Sequence, residues 1–188
     1  FFMKNERLVR QTMMDNAIRI VAEDGFEGAT TNAITYSGPD AGEIKMNEVY
    51  IYRLFGSKEQ IFDRAFEMVE DGFSGAACGA VDGDFCEFVA AVLRFWREHP
   101  LWCRYYAAYC HSHRLYGLTK AYHERVFNRI VKWAKGYFLP DAPTATVMHI
   151  LLNAIVDMAY QMVTGMDAEW NEQTAVATLC GIGRPYLK

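Results

Sequence analysis

The chain has 188 residues, of which 52% are hydrophobic and 22% are charged, and its net charge is -4. A chain of this length and apolar content can bury a sizeable core in one or two domains, which excludes a disordered protein. The negative charge excludes a protein that is basic throughout, so any contact with DNA must come from a local cluster of cations. Because the sequence has no membrane-spanning run of roughly 18 apolar residues and no hydrophobic signal-peptide core, we expect a cytoplasmic protein without a membrane partner.

The cysteines are too irregularly spaced to predict a zinc site, because none of them forms a C-x-x-C pair. There are five: Cys78, Cys86, Cys103, Cys110 and Cys180. We expect them to be reduced and mostly buried thiols. Cys110, His111 and His113 are close in sequence, but residues one or two apart do not share a helix face. No metal and no cofactor is therefore predicted.

The first helix is predicted over residues 5–24, where apolar side chains recur at helical spacing until Gly25 ends it. Thr30 or Thr31 can cap a short second helix. The stretch 36–43 is rich in residues that favour loops, and it predicts a long loop before the next helix.

Residues 46–61 predict a short helix, a tight turn and the start of a longer helix. Asn47 is a good N-cap, Gly56 is suited to end the short helix, and Ser57 can cap the long one. The polar face of the short helix could lie in a DNA groove.

The remainder of the chain predicts helices alone, with no alternating pattern typical of strands and no repeat. The long helix begins at Ser57, and five more are expected over 84–99, 101–113, 118–138, from 141 or 144 to about 163, and 167–179. The centre of the eighth helix, 147–163, is apolar almost all round, so we expect it to be buried on several sides. The sequence thus predicts an all-α fold of about nine helices.

Two stretches in the first third of the chain resemble the TetR family of transcription regulators. The upstream positions that match are Met13, Ala17, Val21, Gly25, Phe26, Thr30, Thr31 and Ile34. Downstream, I-Y-R-L-F-G-S-K-E at 51–59 resembles the family segment that opens the fourth helix. The resemblance implies a three-helix helix-turn-helix DNA-binding domain over 1–60 and a helical ligand-binding and dimerisation domain over 61–188.

Two features depart from the family pattern. The stretch 36–43 is an additional segment, and Val49 stands where the family often has glycine. They keep open an alternative, in which a ligand-binding or scaffold protein uses the same fold with a disabled DNA head.

The resemblance also indicates which residues would bind DNA and ligand. In the head, Tyr52 and Lys58 would contact phosphates, and the other DNA-binding residues would be Thr31, Asn47, Glu48, Tyr50 and Arg53. In the body, aromatic, methionine and polar side chains could line a pocket for a small molecule. The residues expected there are Trp96, Trp102, Tyr105, Tyr109, His113, Tyr122, Phe127, Met148, Asn153, Asp157 and Met162.

These observations lead to one function and two rivals. We expect a TetR-like repressor that binds a palindromic operator as a dimer through its last two helices and is released by a small apolar or aromatic effector. The first rival is the ligand-binding protein with a disabled head. The second is an all-helical enzyme using His113 or Asp157, although no catalytic motif is present and we predict that the chain is not an enzyme.

Overall fold

The computed structural model describes residues 2–36, 46–79, 84–166 and 171–188, with side chains from residue 6 onward. Within these ranges the chain forms nine α-helices and no strand, so the predicted all-α fold is confirmed. The helices are α1 (Phe2–Gly28), α2 (Thr31–Thr35), α3 (Glu48–Phe55), α4 (Lys58–Gly79), α5 (Phe85–Glu98), α6 (Pro100–Cys110), α7 (Gly117–Ala134), α8 (Thr144–Thr164) and α9 (Glu172–Gly183). The loop predicted at 36–43 lies outside the described residues except for Tyr36.

The end of α1 and the start of α2 follow the predicted signals. Gly25 has φ 73° and ψ 179°, so it kinks α1 where the sequence predicts its end, and one further helical turn reaches Gly28. A positive φ is easily adopted by glycine because it has no Cβ. Thr30 caps α2, and its hydroxyl accepts a hydrogen bond from the Ala33 amide at 3.2 Å.

The segment from α3 to α4 also forms as predicted. The Asn47 side chain accepts a hydrogen bond from the Val49 amide at 3.0 Å and caps α3. Gly56 ends α3 with φ 86°. The Ser57 hydroxyl then accepts a hydrogen bond from the Gln60 amide at 3.3 Å as α4 begins. These local contacts fix a tight turn between the two helices.

Two long helices connect the N-terminal helices with the rest of the molecule. α4 contacts α1 and α3, and it also packs against α5, α6 and α7. Its buried face includes Ile61, Phe66 and Phe73, none of which is more than 4% exposed. α1 packs on α2 and also on α6. Each of these helices can therefore transmit a displacement between the two ends of the molecule.

The core of the body forms where α5 and α6 meet α8 and α9. α5 buries the side chains that its periodicity predicts, among them Phe88, Val92 and Trp96, each with no exposed surface. α8 lies against α5, α6, α7 and α9. α6 therefore lies between α1 and α8, since it packs against both.

Three predicted helix boundaries are wrong in the body. α6 ends at Cys110 and not at 113, and α7 ends at Ala134 and not at 138, because the chain makes turns immediately after each. The last helix, expected over 167–179, is Glu172–Gly183, so it ends later than predicted, and residues 167–170 lie outside the described part of the chain. It begins there because the Asn171 side chain caps it, accepting a hydrogen bond from the Thr174 amide at 2.9 Å.

α8 packs against α5, α6, α7 and α9, as expected for a helix covered on several sides, but part of its apolar surface remains open in the single chain. Only 33% of its most apolar 18-residue window is buried, and Ile150 is 53% exposed. Among the described helices, α8 alone is long and apolar enough to cross a bilayer, a test that the core helix of a soluble protein also passes. Its exposed apolar face therefore needs another explanation.

Two cysteines depart from the expectation of reduced thiols. Cys86 of α5 and Cys180 of α9 are paired as a disulfide, with their Cα atoms 5.7 Å apart. They are 94 positions apart in the chain, so no local spacing indicates the pair. Cys78, Cys103 and Cys110 are free thiols, as predicted.

Candidate DNA-binding helix and ligand cavity

The exposed face of α3 is the surface that could reach DNA. α3 buries Ile51, Leu54 and Phe55, and it packs against α2 and α4. Val49 and Tyr52, on its other side, are 69% and 61% exposed. A short helix held by three apolar side chains can present its opposite face to a groove.

Several of the predicted DNA-binding side chains already have partners in the head. The Thr31 hydroxyl donates a hydrogen bond to the Glu48 carboxylate at 2.7 Å, which joins the first turns of α2 and α3. The Asn47 carbonyl oxygen is occupied by its capping bond. These three residues therefore contribute to the geometry of the head in addition to any role on DNA.

The two predicted cationic contacts differ in their surroundings. Arg53 forms an ion pair with Glu6 of α1, and its guanidinium lies 5.3 Å from the centre of the Tyr50 ring. Lys58 is the first residue of α4, and its ammonium lies 5.9 Å from the Phe62 ring centre. Because Lys58 is at a helix N-terminus, backbone amides beside it could bind the same phosphate.

A cavity of about 720 Å³ opens where α6, α7 and α8 meet α1. It falls in the range of small-molecule sites. Its lining combines apolar walls with polar and charged groups. The lining residues are Val21, Ala22, Arg104, Tyr106, Ala107, Ala108, Cys110, His111, Leu115, His123, His149, Asn153, Val156, Asp157 and Tyr160.

A smaller cavity of about 50 Å³ adjoins the large one. The two share the lining residues Tyr106, His123, His149, Asn153 and Val156. The other residues of the smaller cavity are Glu70, Phe73, Phe127 and Leu152. We call this smaller cavity the recess.

Glu70 dominates the electrostatics of the recess. Its side chain has no exposed surface, and one carboxylate oxygen, Oε1, accepts a hydrogen bond from His123 Nδ1 at 2.7 Å. This bond raises the pKa of His123 above its ordinary value. Burial, followed by the charge of Glu70, raises the pKa of Tyr106 well above its usual range and that of Cys110 to about 12.

The predicted ligand residues are divided between the cavity and the core. Phe127, Asn153 and Asp157 line the large cavity or the recess. Within the described part of the chain the others line neither space: Trp96, Trp102, Tyr105, Tyr109, His113, Tyr122, Met148 and Met162.

The aromatic residues that do not reach the cavity have core partners. The ring centres of Trp96 and Tyr106 are 4.9 Å apart. The Tyr105 hydroxyl donates a hydrogen bond to the Phe62 carbonyl at 2.7 Å. Tyr109 stacks on Phe66 at 4.2 Å. The first contact joins α5 to α6 and the other two join α4 to α6, so Trp96, Tyr105 and Tyr109 stabilise the packing of these helices.

Sequence reasoning missed the polar groups of the cavity, chiefly Glu70, His123 and His149. One signal was available, because Glu70 falls on the apolar stripe of α4 between Phe66 and Phe73. An acid at such a position is buried and must have a specific partner. No three His, Cys, Asp or Glu side chains in the described ranges are grouped so that they could hold a metal ion.

The structure is similar to solved structures of transcription regulators along nearly its whole length. A TetR family transcription regulator from Marinobacter aquaeolei VT8 matches with a TM-score of 0.73 and 18% identity, over 96% of this chain and 97% of that chain. A putative TetR family transcription regulator from Shewanella sp. PV-4 matches with a TM-score of 0.72 and 15% identity, over 96% of this chain and 98% of that chain.

A third similar structure carries a more specific description, the fatty acid degradation regulator FadR from Bacillus halodurans. Its TM-score is 0.64 at 16% identity, over 92% of this chain and 93% of that one. No protein-family model and no curated protein sequence matches the chain. The all-α architecture, with its helix-turn-helix at α2 and α3 and its helical body, is the fold of the TetR family transcription regulators.

Proposed function

We propose that the chain is a cytoplasmic, dimeric transcription repressor, which binds operator DNA through α1–α3 and releases it when a small molecule enters the large cavity. The observation that carries this proposal is the position of the cavity. Val21 and Ala22 of α1 form part of its wall. A bound ligand would therefore touch a helix of the DNA-binding head, whose predicted extent is residues 1–60.

The same position supplies a mechanism for release. A ligand shifts a conformational equilibrium only if it binds one state better than the other. The cavity is bounded by the head helix α1 and the body helices α6 and α8, so its shape depends on the angle between head and body. A ligand that fits one angle best would select one spacing of the two heads in a dimer and change their fit to successive major grooves.

The exposed faces of α8 and α9 support a dimer. Ile150, Ala154 and Met158 recur every four residues along α8 and are at least partly exposed. On α9, the exposed residues include Ala177 and Gly181, whose small side chains allow close approach of another helix. Two such helices from each subunit would form a four-helix interface about a twofold axis.

One observation favours the rival in which the DNA head is disabled. Arg53, the predicted cation nearest the bases, is paired with Glu6, and Glu48 places a negative charge in the first turn of α3. DNA would have to compete with Glu6 for Arg53, and it would have to tolerate the negative charge of Glu48 beside it. A direct binding experiment separates the two functions.

The test is selection of bound fragments from a random DNA pool, followed by salt titration of the best fragment. We expect a palindrome to be enriched and its affinity to fall steeply with salt. The Lys58→Ala variant should bind more weakly and show a log-log salt slope smaller by about one, as expected for one lost phosphate contact. Lys132→Ala is the matched control, because it removes an exposed lysine of α7 in the body.

The control should retain the wild-type slope. If the pool yields no enriched sequence even at low salt, the repressor proposal fails and the ligand-binding rival is favoured. If a sequence is enriched but Lys58→Ala and wild type show equal salt slopes, the protein binds DNA and Lys58 does not contact a phosphate.

A further inference from the structure

Glu70 is an acidic residue in a position that normally belongs to a hydrophobic side chain. Its neighbours on the buried face of α4, Phe66, Val69 and Phe73, are at most 4% exposed, and Glu70 itself has no exposed surface. Burying a charge costs free energy unless it is paired and fully hydrogen-bonded. A buried glutamate whose carboxylate is only partly satisfied is therefore a candidate for binding something else.

The Glu70 carboxylate is satisfied on one oxygen only. Oε1 has the hydrogen bond from His123, whereas Oε2 is buried and has no hydrogen-bond partner among the described residues. The Tyr106 phenol also interacts with Glu70, whose charge and side-chain hydrogen bond help to raise the pKa of Tyr106, but its hydroxyl does not reach standard hydrogen-bond geometry at Oε2. An ionised carboxylate only accepts hydrogen bonds, so the missing partner must be an N–H or O–H group.

The recess beside Glu70 favours a cation as that partner. It has a volume of about 50 Å³, and a water needs roughly 10–15 Å³ of such space, so a head group of a few heavy atoms can enter. Three aromatic side chains, Phe73, Tyr106 and Phe127, line it together with the carboxylate. Aromatic faces attract cations, and a hydrogen bond between an ammonium and a carboxylate is stronger than one between neutral groups.

The large cavity provides space for the rest of the molecule. It has five lining residues in common with the recess and apolar lining from Ala107, Ala108, Leu115 and Val156. A molecule with its head group in the recess would pass between the shared side chains, place its apolar body in the large cavity and reach Val21 of α1.

We propose that Glu70 anchors the effector, and that the effector is an amphiphilic amine whose protonated head group binds Glu70 Oε2 while its apolar body occupies the large cavity. The inference rests on the proposed function only for the consequence of binding, which is release of DNA. Recognition of the amine depends on the two adjoining cavities alone.

The experiment compares three probes with the same chain and different head groups: decylamine, 1-decanol and decanoate. Their affinities for the full chain are measured by titration calorimetry below their aggregation limits. We expect decylamine to bind about tenfold or more tightly than 1-decanol. Decanoate should bind more weakly than decylamine because Glu70 repels its charge in the recess, although Arg104 lines the large cavity.

The Glu70→Gln variant should lose the preference for the amine, with decylamine affinity falling about tenfold and 1-decanol affinity unchanged. Glu67→Gln is the matched control, because Glu67 lies on the same helix, faces away from the cavity and pairs with Arg64. Should Glu70→Gln not fold, Phe127→Leu removes an aromatic wall of the recess and should weaken decylamine selectively. A crystal structure with decylamine should place its nitrogen within hydrogen-bond distance of Oε2.

Equal affinities for the amine and the alcohol, or a preference that survives Glu70→Gln, would overturn the inference and leave the recess as a site for water. Failure of the DNA selection has a different meaning. If decylamine binds through Glu70 but no DNA is bound, the amine site stands and the repressor proposal fails. If DNA binds but the protein does not prefer decylamine to 1-decanol, the repressor proposal stands and the amine site fails.

Discussion

The pair of Glu70 and His123 couples the stability of the protein to pH. The hydrogen bond to Glu70 raises the pKa of His123 in the folded chain. A raised folded pKa contributes stability that is fully present below the unfolded value, near 6.5, and is lost as pH rises through the folded value. The other titratable groups near the pair are Tyr106 and Cys110 of α6, whose pKa values are both raised, Glu124 of α7, whose charge also raises the pKa of His123, and His149 of α8.

We therefore expect His123→Gln to lower the free energy of unfolding more at about pH 5.5 than at about pH 8.5. Urea unfolding of wild type and variant at both pH values measures the difference. In a Glu70→Gln background the extra cost at low pH should disappear, because the hydrogen bond and the charge of Glu70 that raise the pKa of His123 are absent and burial, which lowers that pKa, remains. If His123→Gln instead lowers the free energy of unfolding more at about pH 8.5 than at about pH 5.5, His123 is not stabilised by an ion pair with Glu70.

At the scale of single elements, the head was predictable because its signals are local. Thr30, Asn47 and Ser57 each cap the helix that follows within three residues, and Gly25 and Gly56 adopt the positive φ values that end a helix. Such contacts depend on a few adjacent residues, which the sequence shows directly.

The cavity was much less predictable, because its partners are far apart in the chain. Glu70 and His123 are 53 positions apart, and neither residue indicates the other. Aromatic residues on α6 were expected to line a pocket, yet Tyr105 and Tyr109 point to α4. Periodicity tells which face of a helix is inward, but not whether that face meets another helix or a space.

The cap of α3 gives a prediction that separates structure from DNA readout. Asn47→Ala removes the acceptor for the Val49 amide, which should destabilise α3 by about 1 kcal/mol. Asn47→Ser restores a capping oxygen but not the amide group. Hydrogen exchange of the α3 amides and operator affinity are measured for both variants.

We expect Asn47→Ser to recover both the protection of α3 and most of the operator affinity. Recovery of protection without recovery of affinity would show that the Asn47 amide itself contacts a base. If Asn47→Ala leaves hydrogen exchange unchanged, the capping bond contributes nothing to the stability of the helix.

At the scale of the whole molecule, the exposed apolar face of α8 is where the proposed dimer would form. Ile150 is 53% exposed in the middle of this face, and a second copy of the 21.5 kDa chain would cover it in the proposed dimer. The Ile150→Arg variant would bury an unpaired charge there, a cost of about 3 kcal/mol or more. We expect the dimer dissociation constant to rise about 100-fold or more.

Sedimentation equilibrium measures this change. Operator binding should weaken with it, because a monomer carries a single copy of α3, the proposed DNA-reading helix, and cannot span two half-sites. Leu118→Arg is the matched control, since Leu118 of α7 is 89% exposed and lies outside α8 and α9. That variant should remain dimeric. If Ile150→Arg also keeps the mass of a dimer, the subunits associate through a surface other than α8. The spacing of the two DNA-binding heads would then depend on how α1 and α4 are connected to that other surface.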